Sequence, residues 1–89
     1  MLQKNMTINF RNDEERNAFC IIGEKEGVKW QLHRGTLSSR HEKYDAVHIN
    51  KDKKALTAPY NYKENDKTKV VEAANLFGNH IISMKLKGG

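Results

Sequence analysis

Between positions 51 and 69 the chain places Lys51, Lys53, Lys54, Lys63, Lys67 and Lys69, with Tyr60 and Tyr62 among them. Ammonium groups hold phosphate oxygens without reading base sequence. Each one that displaces condensed counterions adds affinity that salt then removes. An exposed tyrosine adds a face on which a base can stack, worth about 1–3 kcal/mol per base. Arg34 and Arg40, with His41 and Lys43, form a second basic group. Asp52, Glu64 and Asp66 interrupt the first group and repel phosphate. A single surface lysine is ordinarily a solvated side chain, so it is the grouping that points to a polyanionic partner.

Other chemistry has less to stand on. His33 with His41, or His41 with Glu42, are the residue types that move protons in RNA cleavage. No motif surrounds them, and the chain is not read as an enzyme. Its four histidines lie eight, seven and thirty-two residues apart beside a single cysteine, which matches no zinc-ligand spacing. Gly23 and Gly27 bracket Glu24, Lys25 and Glu26 without the strand and helix that flank a phosphate-binding glycine loop. Neither a metal nor a cofactor is expected.

Charge distribution sharpens the polyanion reading. Residues 1–29 hold five Lys/Arg and five Asp/Glu, whereas residues 30–89 hold eleven and six, so the net +5 lies entirely in the second part. With 89 residues and 37% hydrophobic content the chain is read as one domain over 1–89, with flexible tails at 1–5 and 87–89. One cysteine, Cys20, excludes an internal disulfide and fits a reducing, cytoplasmic setting as a small core residue. Apolar runs such as 19–22 are far shorter than the ~20 residues of a membrane span. The first residues lack the apolar stretch of a signal peptide. Usage rich in Lys, Asn and Glu, with one proline, is what AT-rich genomes encode, many phage genomes among them.

The elements that must position these groups follow from periodicity. Met6, Ile8 and Phe10 alternate as a half-buried strand. Asn12 and Glu15 have the spacing of a capping box ahead of a helix over 13–22, with Gly23 as its left-handed stop. Val28, Trp30 and Leu32 alternate in a second strand over 28–34, with Trp30 in the core. Ser39 and Glu42 offer a further box, followed by too few residues for more than a helical turn. Val47 and Ile49 mark a third strand, joined by the turn at 50–53 to a fourth over 55–58. Residues 59–66 read as a loop. Asn65 or Asp66 can cap a helix over 67–77, whose Val70, Val71, Ala74 and Phe77 follow helical spacing. Gly78 ends it, and Ile82, Met84 and Leu86 alternate in a last strand over 81–87. The expected fold is α+β, a single small domain in the order β-α-β-β-β-α-β, with a mostly antiparallel sheet and two helices on one face.

The run from 13 to 77, with Lys67 and Lys69 opening its last helix and Ala73-Ala74-Asn75-Leu76 inside, resembles a double-stranded-RNA-binding domain. That resemblance implies phosphate contacts by Lys67 and Lys69; the Gly-Pro-x-His loop of that family is absent. The C-terminal residues 81–89 look like the last strand and Gly-Gly tail of ubiquitin-like modifiers. Those proteins begin with a β-hairpin, however, so Gly88-Gly89 is read as a plain tail. The leading functional expectation is a small basic binding protein. It would contact RNA, and less readily DNA, non-specifically through Lys51, Lys53, Lys54, Tyr60, Tyr62, Lys63, Lys67, Lys69, Arg34 and Arg40. The alternative is a small inhibitor or adaptor, of the kind phages encode, that docks on an acidic surface of a nucleic-acid-processing enzyme, with RNA as part of the contact. A homodimer through an edge strand at 81–87 is compatible with either, although Lys85 and Lys87 oppose edge pairing.

Overall fold

A computed structural model describes residues 1–87. Its elements are β1 (Met6–Asn9), α1 (Asp13–Lys25), β2 (Lys29–Trp30), a 3₁₀ turn (Leu37–Ser39), β3 (Ala46–Ile49), β4 (Lys54–Ala58), β5 (Lys69–Glu72) and α2 (Ala73–Lys87). The fold is α+β, as expected. Five strands form one mixed sheet in the order β2-β4-β3-β1-β5. The central pairs β1–β3 and β3–β4 are antiparallel, while the outer strands β5 and β2 run parallel to β1 and β4. The two helices pack against each other and share one apolar core with the sheet.

That core follows from the alternation in β1 and β3. Met6, Ile8, Val47 and Ile49 turn toward α1 and α2 and are buried with Phe19, Phe77 and Leu37. Phe10, Phe19, Trp30 and Tyr44 form a chain of tilted and edge-on ring contacts with centroids 5.5–6.3 Å apart, the arrangement that ring quadrupoles favour. Trp30 is in the core, and its indole N–H donates to Leu37 O at 3.2 Å. Asn12 caps α1 through Oδ1, which accepts from Glu15 N at 2.9 Å. The Glu15 carboxylate reaches back one residue further than a standard box, accepting from Arg11 N at 2.8 Å.

Several boundaries differ from expectation. α1 passes through Gly23, where glycine serves close packing instead of a stop, since a Cβ there would collide with the buried Leu37 side chain. Gly27, at φ +78°, supplies the stop instead, with Val28 N donating to Gly23 O at 2.8 Å. β2 is only two residues long, and Leu32 is 84% exposed rather than part of a strand. The helical turn ends at Ser39 instead of starting there, and no side chain caps it. Within residues 1–5 Leu2 is buried, its N–H donates to Glu26 Oε1 at 2.9 Å, and the terminal amine pairs with Glu26 at 3.3 Å.

The largest difference lies after Thr68. Val70 and Val71, read as part of a helix over 67–77, lie in β5. The second edge of β1 would otherwise be left open, and β-branched residues suit the parallel register Thr7↔Val70 and Ile8↔Val71 that closes it. α2 then starts at Ala73, runs through Gly78 and occupies the segment expected as a final strand. An edge-to-edge dimer through 81–87 and a ubiquitin-like last strand are thereby ruled out, while Gly88 and Gly89 lie outside the described residues. Among the described residues no helix is long and apolar enough to cross a membrane.

Candidate nucleic-acid interface

Register brings lysines from four stretches of the chain to one end of the sheet. Lys29 of β2 pairs with Lys54 of β4. Ile49, opposite Ala55, leads into the turn carrying Lys51 and Lys53. Met6 lies between Ile49 and Lys69, and Lys4 and Lys67 sit just before these strands start. All seven are exposed except Lys53, which is half-buried, and among the described residues none has a carboxylate partner. Asp52 and Asp66 are their acidic neighbours in sequence. Most side-chain ion pairs collect around the start of α1 instead: Arg11–Glu15, Arg16–Asp13, Lys43–Asp13 and Lys85–Glu14, at 2.7–3.4 Å.

Local hydrogen bonding sets the lysine-bearing turns. Asn50 Oδ1 accepts from Asp52 N at 2.9 Å and Lys54 N at 3.0 Å, and Lys53 takes the left-handed conformation at φ +59°. Asn65 does not cap a helix. Its Oδ1 accepts from Lys67 N at 2.9 Å, while Thr68 Oγ1 accepts from Glu64 N and Asn65 N. Lys69 N then donates to Asn5 O at 3.0 Å. Lys67 and Lys69 therefore flank a strand entry. The phosphate contacts implied by a helix opening at these residues do not carry over.

Tyr60 and Tyr62 are separated from the lysines. Residues 59–68 cross the sheet face opposite the helices and are fastened by polar side chains of that face. Asn9, fully buried, donates to Asn61 Oδ1 and Glu72 Oε2, both at 2.7 Å, and accepts from Asn61 N at 2.9 Å. Tyr60 donates to Glu72 Oε1 at 2.9 Å, which raises its pKa, because ionisation would set a phenolate against that carboxylate. The Tyr62 ring lies edge-on to buried His48 at 5.4 Å. His48 itself lies between Thr7 Oγ1 at 3.0 Å and Glu64 Oε2 at 3.2 Å. Both tyrosines thus tie the crossing loop down, Tyr62 is half-buried, and Lys63 is exposed beside it.

The second basic group borders two open clefts beside β2. One, of about 690 Å³, is lined by His33, Arg40, His41 and Glu42 with Leu56 and Thr57 of β4. Arg40 lies over the Trp30 ring, 5.1 Å from its centroid, and pairs with Glu42 at 3.0 Å. His33 Nε2 is 3.3 Å from Ser39 Oγ. The other cleft, of about 610 Å³, is lined by Lys29, Lys54, Arg34, His33 and Thr36. His33 and His41 are thus neighbours of one cleft, whereas His48 is withdrawn beneath the loop. Among the described residues no group of three or more His, Cys, Asp or Glu could hold a metal ion.

Lys4 and Lys29 escape a reading by sequence proximity. They belong to the basic end only through the pairing of β1 with β3 and β5 and of β2 with β4. A strand ending in lysine at position 29, directly before the core Trp30, is the one local signal. Compared with protein-family models, curated proteins and solved structures, the chain matches none of them.

Proposed function

We propose that the chain is a small binding protein that contacts a nucleic-acid backbone, RNA before DNA, without reading its sequence. The observation that carries the reading is the set of seven lysines at one end of the sheet without carboxylate partners. Seven surface cations gathered at one end without carboxylate partners among the described residues, while Arg11, Arg16, Arg40, Lys43 and Lys85 are paired, create a local positive potential that attracts phosphate. Tyr62 is half-buried against His48 and Tyr60, 50% exposed, has its hydroxyl bound to Glu72, so in this reading affinity rests chiefly on charge. A fluorescence-polarisation titration of nuclease-treated protein against single- and double-stranded RNA and DNA tests this. Micromolar or tighter binding is expected, with log affinity falling by about 0.7–0.9 per phosphate neutralised as log salt rises. Lys67→Ala/Lys69→Ala and Lys51→Ala/Lys53→Ala should each weaken every nucleic acid bound and flatten that slope. Absence of binding at low salt would overturn the reading.

A second reading, a docking inhibitor or adaptor, draws support from α2. Ile82, Met84 and Leu86 are 59%, 39% and 80% exposed on its C-terminal half. A protein partner retained in a pull-down after nuclease treatment, and lost with Ile82→Ser/Leu86→Ser, would favour it over the first. A partner lost on nuclease treatment alone would mark an RNA bridge.

A further inference from the structure

We infer that the cleft between β2, the start of β4 and residues 33–36 is a phosphate site, with Lys29 and Lys54 as its paired cations and Arg34 at its rim. Lys29 and Lys54 are in-register partners on adjacent parallel strands. Both are exposed, both line the cleft, and neither has an ion-pair partner among the described residues. Like charges directly opposite on neighbouring strands repel and weaken a sheet. Here the repulsion falls on a two-residue edge strand with few backbone bonds to oppose it. An anion seated between the two ammonium groups removes that repulsion, and a dianionic or diester phosphate fits the donor set of two lysines and a guanidinium.

The surrounding chain is held so that the cleft stays open on its cationic side. Glu24, the carboxylate among the lining residues, is turned to Ser38, accepting from its N–H at 2.9 Å and from its hydroxyl. Gly35 sits at φ +106°, where a Cβ would lie 2.7 Å from Ser39 Oγ. The loop is held against Ser39, whose hydroxyl donates to Thr36 O at 2.7 Å. Neither Lys29 nor this pairing belongs to the basic groups evident in the sequence.

The assignment rests on the nucleic-acid reading only for the source of the phosphate, which is a strand backbone if that reading holds and a free phosphate or nucleotide otherwise. The test is a ¹H–¹⁵N titration of the full chain with inorganic phosphate, and separately with a short single-stranded RNA, at constant ionic strength set by chloride. Wild type is compared with Lys29→Gln, Lys54→Gln, their double variant and Lys67→Gln/Lys69→Gln. Shifts are expected to concentrate at Lys29, Lys54 and Gly35 with inorganic phosphate, and to include these positions with RNA. Each single cleft variant should lower the RNA salt slope by about 1. Lys29→Gln without phosphate should melt higher than wild type at low salt, since the in-register repulsion is gone. That stability gain should vanish in phosphate.

RNA binding that falls with Lys67→Gln/Lys69→Gln but not with the cleft variants would overturn the cleft and leave the nucleic-acid reading standing. Phosphate shifts at the cleft without RNA binding would support the cleft and overturn that reading. No response to either probe would overturn both.

Discussion

Asn9 shows how much one polar side chain holds in place. Its amide is fully buried on the sheet face opposite the helices and joins β1, β5 and the crossing loop through three hydrogen bonds. Removing it strands the Asn61 N–H and one Glu72 oxygen away from their partner. We therefore expect Asn9→Ala to cost about 1–3 kcal/mol, read as a lower urea midpoint at unchanged slope. A midpoint equal to wild type would mean that water replaces the amide fully. Cys20 is buried 3.7 Å from the Tyr44 hydroxyl, and burial pushes its thiol up from the usual value. Native protein should accordingly resist alkylation at neutral pH, while denatured protein reacts at once.

At the scale of elements, α1 is positioned at both ends by identifiable groups. Asn12→Ala removes the Oδ1 cap and should cost about 1 kcal/mol. Gly23→Ala sets two effects against each other: better helix propensity, worth ~1 kcal/mol, and intrusion into Leu37, whose overpacking costs about 1–3 kcal/mol. Leu37 is fully buried and its carbonyl accepts from Trp30, so it has little room to yield and net destabilisation is expected in denaturant melts. A stabilised variant would show instead that the Leu37 segment moves without loss. That segment borders the Lys29 cleft, which ties the packing of α1 to the geometry of the phosphate site.

For the whole molecule, charge and pH act through different ends. Cys20 and Tyr44 are pushed up by burial, and Tyr60 by its bond to Glu72. Each holds its proton more tightly folded than unfolded, so its stabilisation is complete below the unfolded value and is lost as pH rises through the folded one. Stability should therefore stay level from neutral pH to about 9, the usual thiol value, and decline above it as the unfolded thiol and then the phenols, near 10, ionise. Equilibrium denaturation from pH 7 to 11 checks this, and Tyr44→Phe should reduce the alkaline decline. A rise in stability above pH 9 would contradict the burial of both Cys20 and Tyr44. Nucleic-acid affinity at the seven-lysine end is expected to respond to salt, so at fixed pH a salt series reads binding and a denaturant series reads fold stability.

Local physics alone determined β1, the capped start of α1, the β3–β4 hairpin and the core placement of Trp30. Each rests on neighbours within a few positions: strict alternation, an Asn with Glu three residues on, a polar turn between two apolar strands. The basic character of the chain after Val28 was likewise legible, because charge is a property of composition. Residues 69–87 were not. Val70, Val71, Ala74 and Phe77 satisfy helical spacing and Ile82, Met84 and Leu86 satisfy a strand's, yet the open edge of β1, some sixty residues earlier, draws 69–72 into the sheet and leaves the rest to helix. The same long-range pairing decided the candidate site. It set the loop of Tyr60, Tyr62 and Lys63 over the sheet face and gathered Lys4 and Lys29 with the other lysines at one end, since strand register, not chain proximity, sets which charges share an end of the sheet.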